Sequence, residues 1–186
     1  MIPITDFLKK IIWPLEEIDK ILPQRGLIYD LGCGEGVIAK YLANSSASRR
    51  VIGVDVDKKR LPKIKSQNLS FEAGDIRSFR LETADGVIIS DVLHHLSAID
   101  QKKLLIKISQ CLKKGGVLVI KEIDKNEFIR GHLSRLWDFL LYPKDKIHYW
   151  RSNDLRVFLK SLGFAVKITH PVRLFPGSTT LYICKK

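Results

Sequence analysis

Two hydrophobic rhythms alternate along this 186-residue chain. Short continuous apolar runs predict buried strands, and apolar positions three and four apart predict helices. The opening stretch has Phe7, Leu8, Ile11, Ile12, Leu15, Ile18 and Ile21 at helical spacing, which predicts a helix over 5–21 that Pro14 kinks or splits. Strands are predicted at 27–31, 50–55, 69–73, 85–90 and 116–122. Helices are predicted between them at 36–43, 58–66 and 98–112. The 58–66 helix is basic, with Pro62 in its first turn. The 98–112 helix has Ile99, Leu104, Leu105, Ile108 and Leu112 on one face and is closed by Gly115 and Gly116. An amphipathic stretch over 127–142 ends at Pro143. A helix over 152–161, capped by Ser152 or Asn153 and stopped by Gly163, follows it. The last two strands, 164–170 and 179–184, are too close for a helical crossover and are expected to pair antiparallel. Strand and helix alternating in this way specify an α/β chain with a mainly parallel sheet covered on both faces.

The length suits one domain, read here as 1–186 with a helical lead-in over 1–25. No apolar run is long enough for a membrane-crossing helix, and the N-terminus lacks the pattern of a secretory signal. Cys33, Cys111 and Cys184 are odd in number and far apart, which fits a reducing, cytoplasmic setting better than a disulfide framework. No Cys/His grouping has zinc-site spacing, so no metal is expected. Charge changes the picture more than composition does. Residues 1–100 carry 14 basic and 14 acidic side chains, whereas 101–186 carry 18 and 6, so the whole net charge of +12 lies in the second part. That asymmetry fits a solvated basic surface. It equally fits an anionic partner: nucleic acid, an anionic membrane surface or an acidic substrate.

The sharpest chemical signal is Asp30-Leu31-Gly32-Cys33-Gly34-Glu35-Gly36, between the first strand and its helix. An open α/β sheet binds its ligand at this turn, and glycines let backbone approach that ligand closely. The dinucleotide fingerprint requires its third glycine at position 37, which is Val37 here. That disfavours a nicotinamide oxidoreductase. An acidic residue ahead of the loop also suits a cationic amine better than a pyrophosphate. Asp55 closes the second strand, 19 residues after Gly36, where a carboxylate accepts both hydrogen bonds of a ribose diol. A tight turn with a helix-capping acid is the alternative reading of the loop.

With these residues in place, the chain from 26 to 184 resembles the class I S-adenosyl-L-methionine-dependent methyltransferase family. The resemblance implies a Rossmann-like three-layer sandwich of strand order 3-2-1-4-5-7-6 with strand seven antiparallel. It implies S-adenosyl-L-methionine as cofactor and S-adenosyl-L-homocysteine as product. Asp30, Gly32, Cys33, Gly34 and Gly36 match the family's first motif, and Asp55 its ribose-binding acid. Val56 would then flank the adenine. In Gly74-Asp75-Ile76, Asp75 would bind the adenine amine and Ile76 would pack on the ring, although Asp75 also reads as a turn residue. Ser90 and Asp91 open the segment that resembles the fourth motif, and they complete the cofactor set.

Methyl transfer from a sulfonium is an in-line displacement that rests on positioning and desolvation. A protonated nucleophile also requires a base. His95, with His94 beside it, is the candidate base, because small-molecule members of the family often carry a histidine here. Both histidines also read as loop residues that order the pocket, and His132 and His148 rank behind them. Ser90-Asp91-Val92-Leu93 lacks the Pro-Pro-aromatic motif of enzymes that methylate nucleobase amines, and no Pro-Cys pair supports cytosine chemistry. Residues 123–150 carry aromatics such as Phe128, Trp137, Phe139 and Tyr149 among Arg130, Arg135, Lys144 and Lys146. This insertion is expected to form the substrate lid, though an ordinary helix packed on the sheet has the same composition. The expected activity is methylation, at oxygen, of a small apolar or lipid-like acceptor. RNA methylation and a non-catalytic, cofactor-binding partner subunit are the alternatives.

Overall fold

In the computed structural model the alternating rhythms become one seven-stranded sheet, and residues 14–64, 66–122, 148–172 and 179–186 are described. The elements are α1 (Leu15–Ile21), β1 (Gly26–Leu31), α2 (Val37–Ser45), β2 (Arg49–Asp55), β3 (Leu69–Ala73), β4 (Ala84–Ser90), α3 (Ala98–Cys111), β5 (Leu112–Glu122), α4 (Ser152–Ser161), β6 (Ala165–Val172) and β7 (Thr179–Lys185). The sheet order is β3-β2-β1-β4-β5-β7-β6. β1 to β5 pair parallel, whereas β7 runs antiparallel to both β5 and β6. The expected order and the reversed last strand are therefore both present.

The central strands are buried on both faces, which is why they read as unbroken apolar runs. Tyr29, Leu31, Val87, Ile89, Leu118 and Ile120 point to the face covered by Leu104, Leu105 and Ile108 of α3 and by Leu155 and Leu159 of α4. Ile28, Val51, Ile88 and Val119 point to the other face, against Ile18 of α1 and Ile38 and Leu42 of α2. Each fully buried aliphatic side chain contributes about 2 kcal/mol by leaving water. Among the described residues Arg49 is the largest fully buried side chain. It is tolerated because its guanidinium pairs with Asp19 and donates to the carbonyls of Pro23, Leu22 and Leu42.

Several local expectations are corrected. α1 begins directly after Pro14, whose carbonyl accepts Ile18 N–H at 2.9 Å; the kink or split expected at Pro14 involves residues outside those described. The N-terminal part of the expected 5–21 helix lies outside the described residues. No helix forms over the described part of 58–66; a turn runs from Asp57 to Arg60, and an irregular segment follows. Pro62 supplies no N–H there, Asp57 holds Lys59 N–H at 2.9 Å, and repeated cations disfavour a helical stack. Gly115 and Gly116 do not close α3. That helix ends at Cys111, and both glycines lie within β5, where the pairing with β4 shifts register between Ala84 and Gly86. Ile99 is not on the buried face: it is 64% exposed, while Gln101 is buried and donates to the carbonyls of Leu96 and His148. α4 has Arg151 at its cap position and no side-chain cap bond, so neither Ser152 nor Asn153 plays that part. The 127–142 stretch and most of the expected lid lie outside the described residues.

Candidate active site

β1 ends in Asp30 and Leu31, and the chain must then turn sharply into α2. Gly32, Gly34 and Gly36 make that turn with φ of +77°, +51° and +69°. In this region a side chain is strained, and the space is also filled. A Cβ on Gly32 would sit 2.3 Å from Val92 Cγ2, and one on Gly36 would sit 2.4 Å from the Phe71 ring. The loop is strapped to β2 by Gly32 and Cys33 N–H on the Val54 carbonyl, at 2.7 and 3.0 Å. Asp30 is buried and accepts from Ala39 N–H, at 3.1 Å, in the first turn of α2. Burial, with Asp55 nearby, pushes its carboxyl up to about 7. Cys33 belongs to the loop, and burial raises its thiol far above the ordinary value, so it is no nucleophile.

Asp55 ends β2 and is buried beneath the loop. It accepts Gly34 N–H at 2.7 Å on one oxygen and Asp57 N–H at 2.9 Å on the other. A carboxylate has about four lone-pair directions, so each oxygen keeps one for a diol. Val56, the next residue, is 74% exposed, an apolar side chain left open at the ligand edge. Gly74 N–H reaches the Asp55 carbonyl at 2.9 Å, which brings Asp75 and buried Ile76 to the same edge. The Arg77 guanidinium bonds both Asp75 oxygens and holds that carboxyl below its usual range. An adenine amine would share Asp75 with this arginine.

β4 ends at Ser90, Asp91 follows, and Val92 then packs beside Gly32, so this segment and the glycine loop are neighbours. Ser90 hydroxyl donates to Asp91, which also pairs with Lys121 of β5. Beyond it Leu93–His95 forms a single 3-10 turn. His94 is 3% exposed, with Nδ1 2.6 Å from Glu122 Oε2; Leu93 N–H donates to the other oxygen at 2.8 Å. The His94 ring stacks on Tyr149 at 5.2 Å and lies 4.3 Å from the half-buried ring of His95. His148 N–H bonds the His94 carbonyl at 2.9 Å, so the chain returns from 123–147 directly onto this turn. His148 itself is exposed, and His132 lies outside the described residues.

The loop residues, Asp55, Asp75, Ile76, Ser90, Asp91 and the two histidines thus share one sheet edge. Sequence reasoning missed Lys121, Glu122 and Arg60, whose guanidinium covers the space a Cβ on Gly34 would enter, at 2.8 Å. The available signal for the first two was a charged pair closing an otherwise apolar strand. The edge fits an adenosyl sulfonium amino acid. It offers a cradle that only glycine leaves open, a buried carboxylate placed for a diol, exposed and buried aliphatics for a flat ring, and acids for a cation.

Comparison with known proteins agrees with this chemistry. A family model described as a methyltransferase domain matches residues 8–167. The carboxy-S-adenosyl-L-methionine synthase of Shewanella loihica is 32% identical over 115 residues, covering 56% of this chain and 47% of its own. The chain therefore spans about half the length of the curated relatives it matches. Among solved structures, a methyltransferase in complex with the Haloferax volcanii Trm112 activator superposes with a TM-score of 0.76 at 17% identity, covering 91% of this chain and 87% of that one. Magnesium protoporphyrin IX methyltransferase from Synechocystis PCC 6803, solved with bound S-adenosyl-L-homocysteine, gives 0.72 at 16%, covering 93% and 82%. With the family model spanning most of its length and the glycine loop, Asp55 and the 3-2-1-4-5-7-6 sheet in place, the chain belongs to the class I S-adenosyl-L-methionine-dependent methyltransferases.

Proposed function

We propose that this chain methylates an oxygen of a small, apolar or lipid-like acceptor. The observation that carries the reading is the histidine turn clamped by Glu122 beside the glycine loop. When bound, S-adenosyl-L-methionine supplies an electrophilic methyl group and leaves as S-adenosyl-L-homocysteine. A hydroxyl acceptor must lose its proton as the oxygen–carbon bond forms, and His95 is the proton acceptor in this reading. Glu122 fixes the turn: one oxygen accepts from Leu93 N–H and the other accepts a hydrogen bond from His94 Nδ1. His94 is thereby a buried positioning residue, and its ring supports that of His95. Aromatic residues of 123–150 would cover the acceptor, and the basic second part would hold an anionic membrane surface from the cytoplasm. Among the described residues no helix is long and apolar enough to cross a membrane.

The test is label transfer from methyl-labelled S-adenosyl-L-methionine into an extract of the source cells, split into solvent-soluble, RNA and protein fractions. Label in the solvent fraction supports the reading and supplies the acceptor. Label in RNA replaces it with nucleic-acid methylation on the basic half. In the same assay His95→Ala is expected to lower turnover about 100-fold, the scale of a lost general base. Glu122→Gln is expected to lower it about tenfold and to move the pH profile. Both variants should keep S-adenosyl-L-homocysteine affinity within about threefold by calorimetry. Unchanged turnover in His95→Ala removes the base from the scheme.

A further inference from the structure

Between the ends of β4 and β5 stands a buried lysine with more donors than partners. The Lys121 side chain is 6% exposed, and Asp91 is its hydrogen-bond partner among the described residues. An ammonium carries three N–H donors, so two of them meet no acceptor there. Buried charged donors are costly to leave unpaired. Asp91 is unusual in its own right. It is the one non-glycine residue among those described with left-handed backbone, at φ 55°. Its N–H on the Lys121 carbonyl, at 2.9 Å, and its side-chain pair with the Lys121 ammonium hold it there. A side chain in this region is strained, and the strain persists where the surroundings impose it.

The order of the sheet says which part of a ligand meets this pair. Asp55 and Val56 on β2 mark the ribose and adenine side. An extended cofactor then crosses the glycine loop after β1 and reaches β4, where Val92 touches the space beside Gly32. Asp91 precedes Val92 and is 36% exposed, so the pair opens toward that end of the ligand. The end in question is an amino acid, which carries one ammonium and one carboxylate.

We propose that Asp91 and Lys121 read the cofactor's amino-acid end as a matched pair, Lys121 taking the carboxylate and Asp91 the ammonium. Lys121 thereby becomes a specificity residue that rejects cofactors lacking the carboxylate. This rests on cofactor use by the family and not on the identity of the acceptor.

Calorimetry on the full chain tests it with three probes: S-adenosyl-L-homocysteine, its decarboxylated analogue and 5′-methylthioadenosine. The wild type is expected to prefer the first over the second by at least about tenfold. Lys121→Met should weaken S-adenosyl-L-homocysteine about 30-fold, the scale of one charge-assisted hydrogen bond, and leave the decarboxylated analogue within about threefold. Lys121→Arg should keep the preference. Asp91→Asn should weaken both amine-bearing probes and spare 5′-methylthioadenosine. Equal wild-type affinity for the first two probes overturns the proposal, even if Lys121→Met fails to fold. So does a parallel loss of both probes in a folded Lys121→Met, or no binding of S-adenosyl-L-homocysteine by the wild type.

Discussion

Asp55→Ala is expected to weaken S-adenosyl-L-homocysteine binding about a thousandfold, measured by calorimetry at neutral pH. The carboxylate is the proposed partner of the ribose diol, and each charge-assisted bond contributes about 1.5–3 kcal/mol. Two such bonds total about 4 kcal/mol, which is the stated factor. The side chain also ties Gly34 N–H at 2.7 Å and Asp57 N–H at 2.9 Å, so its removal loosens the loop as well. Asp55→Asn separates the two contributions. The amide keeps the volume and one acceptor oxygen, so it should hold the loop partly and lose affinity by about 10- to 100-fold. A melting temperature that falls in Asp55→Ala while affinity stays within about threefold would make Asp55 a loop strut and nothing more.

Asp30 gives the second large effect, in stability. Its carboxyl is buried, close to Asp55, and raised to about 7 from the usual 3.8. That gap corresponds to about 4 kcal/mol against the ionised form. Since the folded value lies above the unfolded one, the folded protein holds a proton that the unfolded chain has released between about pH 4 and 7. The favourable contribution is therefore complete below about pH 4 and is lost as pH rises through about 7. Asp30→Asn should remove this slope. Urea denaturation of the cofactor-free chain should find the variant more stable than wild type by up to about 4 kcal/mol at pH 8, with the difference vanishing toward pH 4. Affinity should move the other way. A cationic cofactor favours the ionised carboxylate, so wild-type affinity for S-adenosyl-L-methionine should rise through about pH 7, while the variant stays weak and flat. Denaturation curves that differ by a constant amount from pH 5 to pH 8 would sink the assignment.

A residue that is unfavourable for the empty fold and useful to the ligand is what a binding site at a sheet edge looks like. The same holds for Asp91, in left-handed backbone against a buried lysine. Neither fact is visible in a sequence, because both depend on neighbours that folding brings together: Asp55 and the surrounding core at Asp30, Lys121 at Asp91.

The amino-acid sequence specified the strands, the glycine loop with Asp55 and, through the family resemblance, the sheet order. These are local: an apolar run buried on both faces has one reading, and three glycines ahead of a helix leave a turn no side chain can occupy. It misread 58–66 as a helix, since composition does not show that Asp57 would take Lys59 N–H. It placed α4 at 152–161, as observed, but gave the cap to Ser152 or Asn153 where Arg151 stands, and it closed α3 with Gly115 and Gly116, which sheet pairing takes into β5. It put Ile99 inside and overlooked Gln101, whose amide is buried because two distant carbonyls meet it. The partnerships across strands come from the packing of the sheet. Glu122 reaches His94 across 28 residues, and Lys121 reaches Asp91 across 30, because parallel strands β4 and β5 finish side by side. Periodicity says which face a residue takes; only the packing of separate strands says which charge it meets there.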